Sequence, residues 1–206
     1  MQKIVWLLLL ASPFFINAQQ IEVLDVEKIS GTIHLLPKTE SVEGKLQVKF
    51  KVLQSTDSIY LDAIKMNAEI TKKSSSKPKL FSAEKKIYFI DQFEARKTYE
   101  VEFTYQATPQ QTLYFVGWDN DGSNQIWSQG QGKYTSHWLP SVDDMNDKIE
   151  FDLSYQVPQD YEVAANGKLV NKEKKGKEQL WHFDMQHPMS SYLVAVAVGK
   201  FEAKEI

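Results

Sequence analysis

Residues 45–52 read KLQVKFKV. Apolar side chains fall on every even number, and lysine or glutamine on every odd one. Successive side chains of an extended strand point to opposite faces, so this pattern predicts a strand with one dry and one wet face. The same period returns at Tyr99, Val101, Phe103 and Tyr105, and again at Ile149, Phe151, Leu153, Tyr155 and Val157. Tyr192 to Val198 is apolar throughout. Its valines and the following Gly199 favour a strand covered on both faces, with a buried helix as the other reading. No segment after residue 20 carries a helical apolar stripe over three turns. The expectation is one all-β domain.

Turn signals punctuate these strands at Ser30-Gly31, Glu43-Gly44, Asp121-Gly122 and Asn166-Gly167. Lys72 to Pro78 and Asn171 to Lys177 read as solvated loops or hairpin tips, because each is short and lacks the interleaved aromatics of a nucleic-acid surface. No repeat of fixed period and no Pro/Gly-rich linker divides the chain.

The composition fits a folded domain: 206 residues, 42% hydrophobic and 25% charged, enough apolar material for a real core. A net charge of −3 gives no reason to expect nucleic acid or an anionic membrane surface as partner. Residues 1–18 stand apart. Lys3, the apolar run Ile4 to Leu10 extended by Phe14, Phe15 and Ile16, and Asn17-Ala18 have the layout of a secretory signal cleaved after Ala18. The competing reading is an anchor helix, against which Pro13 and the short run both argue. An exported protein, periplasmic or secreted, is expected, with no stable membrane anchor after cleavage. There is no cysteine, so such a protein is held by its core and not by disulfides.

Chemistry-bearing residues are sparse. The four histidines are His34, His137, His182 and His187. A helical zinc pair needs i, i+4 spacing; His182 and His187 are five apart, and His182 sits in a strand pattern, so the two are expected on opposite faces. Trp118 to Asn124 fails as an EF-hand loop, because Gly117 and Ser128 would occupy its first and twelfth places; a looser calcium site stays open. No Ser sits in a G-x-S-x-G elbow, and no glycine loop cradles phosphate. Asp143-Asp144 suits a turn or a helix cap better than a paired-carboxylate site, since adjacent side chains diverge.

The most specific stretch is Ser128-Gln129-Gly130-Gln131, followed by Trp138-Leu139-Pro140-Ser141-Val142-Asp143-Asp144, the strand Ile149 to Val157 with Pro158, and Asn166-Gly167. This series resembles the N-terminal domain of the zinc aminopeptidases of the aminopeptidase N and leukotriene hydrolase family. There a (T/S)-Q-x-(E/Q) motif precedes an aromatic-x-P-x-x-D motif. Glu43-Gly44 with the strand Lys45 to Val52, Ile59 to Asp62, and Tyr192 to Phe201 extend the likeness over about residues 21–206.

The resemblance implies an all-β, saddle-like fold of mixed and antiparallel sheets: the N-terminal domain of a gluzincin aminopeptidase, over residues 19–206. It implies that Gln131 helps hold the free α-amine and adjacent backbone of a peptide substrate, with Gln129 beside it. Many members have Glu where this chain has Gln131; an amide accepts a hydrogen bond but adds no charge. The family's zinc lies in a following catalytic domain that carries G-x-M-E-N and H-E-x-x-H, and these 206 residues contain neither. The chain is therefore expected to be the N-terminal part of a longer enzyme, binding no zinc itself. Other readings stay open: glutamines that only pair with backbone at a sheet edge, a noncatalytic scaffold, or a free-standing secreted β-sandwich that binds protein or glycan through Trp118, Trp127, Tyr134 and Trp138.

Overall fold

The computed structural model describes residues 20–71, 77–118 and 123–202. A single helical turn at Gln20–Val23 leads into fourteen strands, punctuated by three short 3-10 helices. The largest sheet has seven strands, in the order β12 (Lys168–Lys175), β13 (Glu178–Met189), β10 (Ile149–Pro158), β1 (Leu24–Leu36), β2 (Ser41–Val52), β7 (Thr98–Ala107) and β4 (Asn67–Ile70). A four-stranded sheet runs β11 (Glu162–Ala165), β14 (Val196–Gly199), β9 (Gln125–Ser128) and β8 (Leu113–Val116). A three-stranded sheet runs β3 (Thr56–Asp62), β6 (Lys86–Phe93) and β5 (Lys79–Ser82). β1 and β10 pair in parallel, with Ile29 opposite Phe151; the other pairings are antiparallel. The fold is all-β with mixed and antiparallel sheets, as the alternating runs predict.

The dry face of the large sheet carries the core. Val42, Leu46, Val48, Phe50 and Val52 of β2 are buried, as are Val101, Phe103 and Tyr105 of β7 and Phe151, Leu153, Tyr155 and Val157 of β10. The three-stranded sheet packs onto this face through rings: Phe89 meets Phe103 at 5.4 Å, and Phe93 meets Phe50 at 5.8 Å and Tyr99 at 5.2 Å. Each such edge-on pair adds about 0.5–1.5 kcal/mol beyond its buried area. The four-stranded sheet adds Leu113, Ile126, Val196 and Val198 to the same core. The wet face is laced with ion pairs such as Lys28–Asp152 at 2.9 Å and Lys49–Glu27 at 2.9 Å. Pairs this exposed contribute little to stability.

Several expectations fail, each for a visible reason. Ser30-Gly31 and Glu43-Gly44 are not turns; they lie inside β1 and β2. At Gly44 a side chain has no room: a Cβ would come within 1.9 Å of the Tyr105 ring, which lies across it. Asn171 to Lys177 does end in a hairpin tip, but the turn is only Gly176-Lys177; Asn171 to Lys175 belong to β12, which is exposed at all eight of its residues. A lysine-rich edge strand discourages pairing with another chain, which accounts for its composition. Tyr192 to Val198 is not one strand. Ser191–Leu193 forms a 3-10 turn, β14 begins only at Val196, and Leu193 and Ala195 are exposed while Val194 and Val196 are buried. Asn166-Gly167 does turn between β11 and β12, and Asn166 Oδ1 accepts from the Ala195 amide at 2.5 Å. Most of Lys72–Pro78, and Asp121-Gly122, fall outside the described residues.

Tyr105 reaches across Gly44 and donates its hydroxyl to the carbonyl of Trp138 at 2.9 Å. Burial pushes its phenol well above the usual tyrosine range, so it remains a neutral donor. Tyr105→Phe should lower unfolding stability by about 1–3 kcal/mol, the cost of leaving a buried carbonyl without its donor. Gly44→Ala should cost more, since the new methyl collides with the ring itself. Urea denaturation of both variants checks this; a Gly44→Ala protein as stable as the parent would contradict the packing.

Candidate functional site

Past β9 the chain enters the loop Gln129-Gly130-Gln131-Gly132. The outward alternation of Gln125 and Trp127 continues one residue to Gln129, whose amide still donates to the Thr112 carbonyl at 2.7 Å. Gln129, Gln131, Lys133 and Tyr134 are exposed, whereas Gly130 is buried. A Cβ on Gly130 would lie 2.4 Å from Thr135 Oγ1 and 2.8 Å from the Tyr192 carbonyl, so only glycine lets the loop sit this close to its support. The two amide side chains project into solvent from either side of that anchored residue.

Everything behind the loop is tied down. The Tyr134 amide donates to the Gly130 carbonyl at 3.2 Å, and Thr112 Oγ1 donates to the Tyr134 carbonyl at 3.0 Å. Thr135, Ser136 and His137 form one 3-10 turn. Thr135 Oγ1 donates to the Ser191 carbonyl at 3.0 Å, and the Trp138 and Leu139 amides both donate to the Thr135 carbonyl at 3.0 Å. Gln111 Nε2 lies 2.9 Å from His137 Nε2, a bond in which the imidazole nitrogen accepts and so stays unprotonated; burial lowers the His137 pKa in the same direction. Trp138 and Leu139 are fully buried and Pro140 is buried with them, which makes a rigid apolar corner under the loop. With its ring buried, Trp138 cannot belong to an aromatic binding platform; it is a core residue.

Asp143 holds this corner to the rest of the molecule. Its carboxylate accepts from the hydroxyls of Ser136 and of Ser141 at 3.1 Å, and Ser191 Oγ, which donates to the Val142 carbonyl at 2.8 Å, lies 3.4 Å from it. Its amide donates to Asp62 Oδ2 at 2.9 Å, while the backbones of Asp62 and Ser141 bridge at 2.7 and 3.1 Å. The residue expected to cap or turn is thus a hub joining three separate parts of the chain. Asp144 is not its partner; the second carboxyl at this point is Asp62. Burial raises the pKa of both Asp62 and Asp143.

No metal centre assembles here. Among the described residues, no three His, Cys, Asp or Glu side chains converge in a way that could hold a metal ion. His182 is turned to Asp152 at 2.5 Å and His34 to Glu178 at 2.8 Å, on the wet face of the large sheet. These residues do not fit a catalytic zinc, and no zinc step is assigned to them.

A family model for the Peptidase M1 N-terminal domain matches residues 28–193. The chain belongs to the M1 peptidase family and is its N-terminal domain. Two Sulfurisphaera tokodaii proteins named probable aminopeptidase 2 and probable aminopeptidase 1 are 26% and 24% identical to it over 153 and 162 residues. These matches cover 74% and 79% of this chain, which spans 20% of the length of either relative. An M1 zinc metallopeptidase from Deinococcus radiodurans, in a form bound to a Tyr-Ser-Ala substrate, shares the fold with a TM-score of 0.76 and 16% identity, over 86% of this chain and 42% of that one. A two-domain M1 zinc metallopeptidase bound to L-tryptophan aligns with a TM-score of 0.75 and 17% identity, over 86% and 43%.

Asp147, between the corner and β10, went unnoticed in the sequence. It is only 6% exposed, and its Oδ2 has no hydrogen-bond partner among the described residues. Burial first, then the nearby charges of Asp25 and Asp144, push its carboxyl up to about 7. A carboxyl raised in the folded state is protonated at no cost in acid. Its burial costs stability increasingly as pH climbs from the ordinary carboxylate range to about 7, and that cost is then constant. Asp147→Asn should therefore stabilise the protein at pH 8 by about 1–3 kcal/mol and add little at pH 4. Denaturation midpoints across this range check it; an equal effect at both ends would contradict the assignment.

Proposed function

We propose that this chain is the substrate-pocket domain of an exported, zinc-dependent aminopeptidase that removes N-terminal residues from peptides. In this reading Gln131 accepts a hydrogen bond from the α-ammonium of the peptide or contacts its first backbone group, and Gln129 supports it. The observation that carries the reading is an exposed pair of amides on a loop whose every neighbouring segment is braced from behind. A flexible polar loop would not need a fully buried Trp-Leu corner beneath it. An exopeptidase needs such a fixture, because a group that fixes the terminal amine fixes how far the peptide enters.

Family membership supports the rest. Two relatives are named probable aminopeptidases, and the Deinococcus radiodurans metallopeptidase is bound to a Tyr-Ser-Ala substrate. Zinc would come from a catalytic domain beyond these residues, which we propose as the domain's main partner. Tyr114 and Trp127, in a tilted ring pair with centroids 4.5 Å apart, form with Ala197 and Ala164 a row across the outer face of the four-stranded sheet; Val116 stands beside it. We assign this face to contact with that domain. The signal-like layout of residues 1–18 supports export.

In an enzyme carrying this domain with its zinc domain, Gln131→Ala should lower kcat/KM for peptides with a free N-terminus by about tenfold, the size of one hydrogen bond to a charged group. Gln131→Glu should restore or exceed the parent value for the same peptides, since it adds a charge opposite the ammonium. Unchanged kinetics in both variants would remove Gln131 from the substrate site.

A further inference from the structure

Tyr134 closes the Gln129–Gly132 loop and is 47% exposed. A tyrosine on a surface ordinarily swings about its side-chain bonds. This one is held by its backbone and by its ring. Its amide donates to the Gly130 carbonyl at 3.2 Å, and its carbonyl receives Thr112 Oγ1 at 3.0 Å. One edge of the ring lies on Gly132, where a Cβ would come within 2.8 Å of Tyr134 Cε2 and 3.2 Å of Cδ2. The His137 imidazole meets the ring edge-on, with centroids 6.1 Å apart, and Gln111 Nε2 holds that imidazole at 2.9 Å. Gly132 also has a φ of 95°, a conformation that side chains rarely adopt. Glycine there turns the chain and clears the space that the ring fills.

We propose that Tyr134 is a specificity-determining residue: its ring receives the first side chain of the peptide and favours substrates that begin with an aromatic or large apolar residue. This role rests on the substrate-pocket function proposed above. The bond from the Tyr134 amide to the Gly130 carbonyl closes residues 130–134 into one turn. The ring and the Gln131 amide therefore stand on the same short piece of chain. A peptide whose α-ammonium is fixed by Gln131 carries its first side chain on the neighbouring atom, the Cα. That side chain is presented to the surface flanking Gln131. Gly132 offers no side chain there, so within the loop that surface is made by the Tyr134 ring and by Lys133.

The chemistry of these two groups sets the preference. A ring face gives an apolar side chain dispersion contact and removal from water, and gives an aromatic one the offset or edge-on packing that rings favour. A ring already braced loses little freedom when a substrate packs on it, so most of that contact counts toward binding. The rival preference is for a basic side chain, since the π face of a ring attracts a cation. Charge opposes it. Lys133 is the sole charged side chain in residues 129–134, so a basic first residue meets a like charge and finds no carboxylate in the loop. A first residue as small as alanine leaves the ring in water.

An enzyme carrying this domain with its zinc domain tests the role, on the p-nitroanilides of Phe, Leu, Ala and Arg. The parent should cleave the Phe and Leu substrates with higher kcat/KM than those of Ala or Arg. Tyr134→Ala should lower the Phe-to-Ala ratio of kcat/KM about tenfold, the scale of one apolar contact in a pocket. Tyr134→Phe keeps the ring and should keep the ratio. Gly132→Ala displaces the ring without deleting it and should lower the ratio in the same direction. A ratio that does not move in Tyr134→Ala, or an equal loss on all the substrates, would overturn the assignment, because a residue that only supports the loop cannot tell side chains apart. A parent that prefers Arg would overturn it as well. If the ratio stays put while Gln131→Ala lowers kcat/KM for every substrate, the role of Tyr134 falls and that of Gln131 stands. If the ratio moves while Gln131→Ala changes nothing, the ring's role stands and that of Gln131 falls.

Discussion

The hydroxyl of Tyr105 on the carbonyl of Trp138 is the joint on which this architecture turns. It leaves the middle of the large sheet, passes over a glycine that must be a glycine, and seizes the corner beneath the Gln129–Gly132 loop. Without it the Trp138–Pro140 corner would keep its bonds to Thr135 and Asp62 but would lose its hydrogen-bonded tie to the middle of the large sheet. A buried hydrogen bond selects one orientation, because an unmade one is costly.

The second constraint is electrostatic. Asp143 draws the hydroxyls of Ser136 and Ser141, lies beside Ser191 Oγ and faces Asp62, so the segments around residues 62, 136, 141 and 191 meet at one point. Two short motifs far apart in the sequence, Leu61-Asp62 and Trp138 to Asp143, turn out to be two halves of one contact. A carboxylate used this way is expensive to bury and specific in geometry. That combination suits a place where a loop must be held in one position more than it suits the general stability of a core.

The strands were legible where alternation is unbroken. β2, β7 and β10 follow the sequence pattern almost residue for residue, because one face of each is dry and the other wet. β1 was not legible. A bulge between Val26 and Lys28 shifts its register, so the buried residues change from even numbers, Leu24 and Val26, to odd ones, Ile29, Ile33 and Leu35. Glycines misled twice, since close approach and turning leave the same mark in a sequence. The Gln-Gly-Gln loop and the Trp-Leu-Pro corner were visible through their resemblance to a family. Their physical connection was not, because Ser136, Ser191 and Asp62 are ordinary residues until folding brings them to Asp143. Asp147 was equally silent: an aspartate in a polar stretch looks solvated, and only the packing reveals that it is buried without a full set of partners.

The account turns on Gln131 being presented to the N-terminus of a peptide. The most direct measurement is a structure of this domain joined to its zinc domain with a short peptide bound. The account predicts the Gln131 side-chain oxygen at about 2.7–3.2 Å from the peptide's terminal nitrogen or first backbone amide, with the Asp143 hub intact behind it. A peptide whose amine is held wholly by the other domain, with Gln131 left in solvent, would contradict it.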